Sequence, residues 1–160
     1  MASTKVTRFW QTFLNSLQPG QHLENTEVPE AWGFGNSPKM ADDLGQLVYD
    51  GVKTATASLV WEYEVEGEAI PKPGDLSIIL NSKDEPICII QTTEIRILPF
   101  NQVSPEFAYD EGEGDRSLDY WRKVHWWFFG ETCKQINREP SQDMPVVCER
   151  FKLIFKRLDF

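Results

Sequence analysis

The sequence predicts an α+β fold, a small β-barrel of about five or six strands with flanking helices. Two patterns carry this reading. Apolar residues recur at helical spacing in three separate stretches, and β-prone runs bounded by turn residues fill the middle and the C-terminal end. The size agrees: 160 residues with 41% apolar and 26% charged content make one folded domain and exclude collagenous or wholly disordered classes.

The elements follow in order. Thr4 to Leu17 reads as a helix with Val6, Phe9, Trp10, Phe13, Leu14 and Leu17 on one face, stopped by Pro19-Gly20. Gln21 to Glu30 is a polar connector, and Trp32-Gly33-Phe34-Gly35 a glycine-aromatic turn. Ser37-Pro38 caps a second helix that Gly51 ends. Thr54 to Trp61 is β-prone, and the alternating acids Glu62, Glu64, Glu66 and Glu68 extend it as a solvated strand and hairpin. Leu76 to Leu80 is a strand, and Ile87 to Phe100 makes two strands or one long bent one. Val103 to Ala108 holds a helical turn, and Asp110 to Asp115 an acidic glycine loop. Ser117 caps a third helix, Leu118 to Phe129, followed by a short one at Glu131 to Asn137. In the last strand, Val146 to Phe155, Val147, Glu149, Phe151, Leu153 and Phe155 alternate against polar neighbours.

Charge narrows the functions. With 16 Lys and Arg against 25 Asp and Glu, the formal net charge is −9. A sequence-blind duplex-DNA binder draws its affinity from many cation–phosphate contacts and is excluded, whereas one small positive pocket is not. Cys88, Cys133 and Cys148 give neither a disulfide framework nor a metal-ligand spacing, so free thiols in a reducing compartment are expected, and no cofactor. The absence of a leader-like apolar stretch and of a membrane-length apolar window makes the expected location cytoplasmic, with no membrane partner.

Three features can carry chemistry. Gly51-Val52-Lys53-Thr54-Ala55-Thr56 lies where a helix gives way to a strand. From spacing alone Lys53 is a solvated lysine after a helix cap; placed in a cleft, it is a base toward a hydroxyl or, if charged, a phosphate ligand. Asp110-Glu111-Gly112-Glu113-Gly114-Asp115 crowds four carboxylates into a loop that does not match a calcium loop. It is either a solvated turn feeding the Ser117 cap or a set of acceptors that pairs with Lys53. Tyr120, Trp121 and His125 to Phe129 form an aromatic helix whose rings cannot all face one core. Packing, an oligomer interface through Trp126 and Trp127, and stacking on bases all explain them, and His125 is either a satisfied core residue or a proton carrier.

These motifs, taken with Lys72-Pro73-Gly74-Asp75, Phe107 to Asp115, Trp121 and His125, resemble an ASCH domain, one of the PUA-like small β-barrels, from about Trp32 to Phe155. The resemblance implies an N-terminal helix and connector over residues 1–31 packed on an ASCH domain over 32–160. It also implies a cleft at the lysine motif and single-stranded RNA or a modified nucleotide as ligand. One branch of the family consists of amidohydrolases acting on an acylated cytidine, whose lysine, threonine and glutamate match Lys53, Thr56 and Glu111; other members are described as RNA-binding or ribonuclease-like. This chain has Val52 and Ser58 where that branch has basic residues, and it adds the Thr4 to Leu17 helix and the Gly112 to Asp115 extension. Three functions follow. The first is a binding module using Lys53, with Trp32, Phe34 or Trp61 stacking and Ser58, Glu113, Asp115 and His125 around the ligand. The second is a hydrolase in which Lys53 deprotonates Thr56 or stabilises a phosphorane while Glu111, Glu113 or His125 moves protons. The third is a protein-interaction domain.

Overall fold

A computed structural model describes residues 3–158. The elements are α1 (Thr4–Ser16), β1 (Glu30–Trp32), α2 (Pro38–Tyr49), β2 (Ala55–Leu59), α3 (Val60–Glu66), β3 (Leu76–Leu80), β4 (Pro86–Pro99), α4 (Pro105–Glu111), α5 (Leu118–Gln135) and β5 (Pro145–Lys156). The strands form one mixed sheet in the order β1-β3-β4-β5-β2. β1 runs parallel to β3, β3 antiparallel to β4, and β2 antiparallel to β5. The expected α+β class is therefore observed, with five strands.

Two compact units divide the chain. One comprises the residues up to Tyr49, Leu76–Gln91, and those from Leu153 onward; the other comprises Asp50–Asp75 and Thr92–Lys152. In the first unit, Ser3 caps α1 by accepting from the Val6 amide, and Val6, Trp10 and Phe13 pack with Ile78 and Ile89. The Trp10 indole N–H donates to the Thr26 carbonyl at 2.8 Å, which ties the polar connector to the helix it follows.

The second unit has its own core. Ala55 and Leu59 of β2, Phe107 and Ala108 of α4, Trp121, Phe129 and Cys133 of α5, and Met144, Val146 and Cys148 are buried together. Strand periodicity explains the β2 contribution: Ala55, Ala57 and Leu59 alternate onto this core, which leaves Thr56 and Ser58 on the opposite face. Ser104 and Ser117 cap α4 and α5 by accepting from the Phe107 and Tyr120 amides.

Four local expectations are corrected. Trp32 lies in β1 rather than in a turn. The acidic stretch after Leu59 is the helix α3, not a strand and hairpin. Its seven residues close at Gly67 in the left-handed conformation, and its Trp61 packs on the core, so the alternating glutamates ride a helix that tertiary packing holds in place. Asp110 and Glu111 are the last turn of α4, and residues 131–135 continue α5 instead of starting another helix. All three cysteines are free and buried, and burial pushes the Cys88 and Cys148 thiols up to about 12, which leaves them unreactive.

Candidate functional site

The second unit contains a buried four-charge cluster. Lys53 stands between the end of α2 and the start of β2, and its side chain is 1% exposed. The ammonium donates to the Ala55 carbonyl at 2.9 Å, to Glu111 Oε1 at 3.0 Å and to Glu113 Oε2 at 2.8 Å. It also reaches the Glu111 carbonyl at 3.3 Å, so three N–H donors face four acceptors. Burial disfavours the ammonium, but the charges and hydrogen bonds of Glu111 and Glu113 outweigh it, and the pKa of Lys53 is raised. At neutral pH Lys53 is a cation and not a free base.

Glu111 is the centre of the arrangement. Its second carboxylate oxygen accepts a short hydrogen bond from the Trp121 indole N–H and faces His125 Nε2 at 3.3 Å. The other ring nitrogen of His125, Nδ1, donates to the Trp121 carbonyl at 2.8 Å. Both partners of the ring, the Trp121 carbonyl and the Glu111 carboxylate, are acceptors, an arrangement that favours the doubly protonated ring. Its pKa is raised: burial, the largest single effect, works against the charge, but Glu111 and Glu113 together overcome it. The same balance holds Glu111 well below the ordinary carboxylate range, since Lys53, His125 and Trp121 outweigh its burial. The ring of His125 also stacks on Trp121, with centroids 4.2 Å apart and planes 15° apart. Two cations and two anions cancel.

A helix turn and a glycine make this geometry. α5 places Trp121 and His125 one turn apart on its inner face. α4 ends at Glu111, and Gly112 follows with φ +74. A side chain at Gly112 would lie 2.9 Å from the Val52 carbonyl oxygen and 3.1 Å from Lys53 Cα, both backbone atoms. The loop thus rests directly on the lysine motif, with the Thr54 amide donating to the Asp110 carbonyl at 2.8 Å. Gly112→Ala should cost about 1–2 kcal/mol for the left-handed backbone alone, plus the displacement of that backbone. Gly51→Ala is the control, because Gly51 has φ +77 with open space around it. Denaturant midpoints should drop further for Gly112→Ala than for Gly51→Ala, and equal losses would refute the packing role.

The remaining expected site residues separate. Glu113 joins Lys53 and keeps 15% side-chain exposure, the outward edge of the cluster. Asp115 instead pairs with Ser117, whose hydroxyl and then amide (at 2.9 Å) lower its pKa, and it belongs to the turn that leads into α5. Thr56 stands in register with Glu149 of β5, and Ser58 shares a hydrogen bond with the Tyr63 hydroxyl at 2.9 Å. Trp32 and Phe34 belong to the first unit, where their rings meet edge to face at 4.7 Å and Phe34 is buried. Phe34 is thus a packing residue rather than an open stacking platform. Glu149 was not among the expected site residues. It is buried, accepts from the Thr92 hydroxyl at 2.6 Å, and shares the face of Thr56. A carboxylate in the apolar row of Val147 and Phe151 is the sequence signal that marks it.

The lysine motif, the acidic turn and the aromatic helix all lie inside one family match. The family model described as ASCH domain matches residues 30–155. The chain belongs to the ASCH domain family. No curated protein matches it. Among solved structures, the ASCH domain from Lactobacillus crispatus JV V101 is 32% identical with a TM-score of 0.88, covering 96% of this chain and 96% of that one. Protein EF3133 from Enterococcus faecalis V583 is 38% identical with a TM-score of 0.86, covering 97% of this chain and 91% of that one. Hypothetical protein PH0355, at 20% identity and a TM-score of 0.53 over 79% of this chain and 99% of that one, shares the fold alone. The expected ASCH and PUA-like fold class is thus shown. Within this ASCH domain, among the described residues, no helix is long and apolar enough to cross a membrane.

Proposed function

We propose that this ASCH domain binds RNA or a nucleotide, with Lys53 as the anion-recognising group and Glu113 as its occupant in the ligand-free state. The observation that supports this reading is the asymmetry of the two carboxylates on the ammonium. Glu111 is 1% exposed and fixed by Trp121 and His125, whereas Glu113 is 15% exposed and carries the outward bond. A phosphate oxygen can take the place of the Glu113 carboxylate without disturbing the buried pair. The charge state favours binding over hydrolysis, because a protonated Lys53 cannot deprotonate Thr56. The hydrolase alternative keeps one supporting observation, the Glu111–His125 contact, but both nitrogens of that ring are already committed to holding the fold.

Tryptophan fluorescence at low salt, titrated with cytidine and adenosine monophosphates and a short single-stranded RNA, should show saturable change. Glu113→Ala should tighten monophosphate binding several-fold by freeing one ammonium donor. A flat titration with every ligand sinks the reading, and weaker binding by Glu113→Ala sinks the occupant role. Chromatography of the same mixtures separates the alternative, since new products would make the domain a hydrolase.

A further inference from the structure

The outer face of α5 combines features that the buried cluster does not use. Tyr120, Lys123 and Trp127 fall at helical positions i, i+3 and i+7, and Arg122 and Trp126 form the adjoining row. Tyr120 and Trp126 are each 37% exposed and Trp127 is 57% exposed, a large amount for an indole. Arg122 and Lys123 are exposed as well, and among the described residues neither enters an ion pair. No acid lies between Tyr120 and Trp127; Asp119 and Glu131 flank the stretch on α5, and Glu131 pairs with Lys134. In a chain where acids outnumber Lys and Arg by 25 to 16, this is a local reversal of sign. The inner face explains why the helix can display it. Trp121, His125 and Phe129 are buried, and Trp126 leans on Phe100 with ring centroids 5.5 Å apart, so the display rests on a fixed support.

We infer that this face of α5 is a docking surface for single-stranded nucleic acid, with Trp127 and Tyr120 stacking on successive bases and Arg122 and Lys123 meeting the intervening phosphates. The inference rests on the reading of the domain as a nucleic-acid binder and names the surface that extends the contact beyond one nucleotide. Aromatic rings interleaved with cations suit an unpaired strand, because each base offers a π-face and each phosphate a charge. A second copy of the chain suits it less. An isologous contact centred on Trp127 would bring Arg122 and Lys123 of both copies together, and like charges in a closing interface repel. An apolar peptide would leave both cations desolvated without partners.

The test uses the full chain, a single-stranded RNA octamer and a nucleoside monophosphate, with affinities measured at several salt concentrations. Trp127→Ala is expected to weaken octamer binding about tenfold or more, with monophosphate affinity unchanged. Lys123→Glu should weaken the octamer and flatten its salt dependence by about one phosphate contact or more. Both residues are exposed, and unchanged far-UV circular dichroism confirms that the variants fold. Octamer binding that ignores both substitutions overturns the inference while the Lys53 reading stands. Octamer binding that responds to Trp127→Ala in a protein that ignores monophosphates supports the surface and removes the Lys53 reading. No binding of either ligand removes both. Sedimentation showing a dimer that Trp127→Ala dissolves assigns the face to self-association and overturns the inference.

Discussion

Lys53→Met is expected to destabilise the protein by about 3–5 kcal/mol, because it removes one member of a buried ion pair and leaves the other behind. The loss falls on Glu111, which is 1% exposed and has no path to water, whereas Glu113 can turn outward. The volume lost is small, so the effect is electrostatic. The double variant Lys53→Met, Glu111→Gln should recover a substantial part of the loss, since it deletes both charges. Urea unfolding of the four proteins of this cycle measures the coupling. Additive losses would show that Lys53 and Glu111 act on stability independently, contrary to their 3.0 Å contact.

Glu111→Gln has a comparable expected cost, about 3–5 kcal/mol, and a spectroscopic signature of its own. Without the carboxylate, burial dominates at His125 and its pKa should fall below the ordinary 6.5 instead of lying above it. Ring C–H shifts of His125 followed by NMR across the pH range report this directly. The pH dependence of stability follows with a definite sign. The raised pKa of His125 contributes stability that is complete below 6.5 and is lost as pH rises through its folded value. The depressed pKa of Glu111 contributes stability present above 4.5 and lost as pH falls through its folded value. The wild type should therefore weaken on both sides; Glu111→Gln should lose the alkaline limb and the Glu111 part of the acid limb, and gain a loss of stability as pH falls below 6.5, where its buried neutral His125 must take up a proton. A variant whose His125 stays charged at pH 7.5 would refute the pairing.

Much of this was legible in the sequence, for identifiable reasons. α1, α2 and α5 announced themselves through apolar spacing, and α2 and α5 also through Ser-Pro and Ser caps, which are local signals. The pairing of Lys53 with the acidic turn was legible as an alternative because opposite charges and a glycine turn suggest it, although 58 residues separate Lys53 from Glu111. Its depth was not. Nothing local distinguishes a solvated loop lysine from one enclosed by α4 and α5, since burial is set by distant chain. The same limit hid α3, where alternating glutamates imitate a strand but Trp61 anchors a helical turn on the core. Asp115 and Glu113 look equivalent in sequence, yet one holds the Ser117 amide just before α5 and the other reaches Lys53, on either side of Gly114 in its left-handed conformation.

The close seating of Gly112 on Val52 and Lys53 has a consequence for how this site could be moved or copied. The motif Gly51 to Thr56 and the turn Glu111 to Gly114 are one component written in two places. A graft of the lysine motif into another scaffold would import an ammonium with nothing to neutralise it, and a graft of the turn alone would import two stranded carboxylates. Only the pair is transplantable, with α5 supplying the indole and imidazole beneath it.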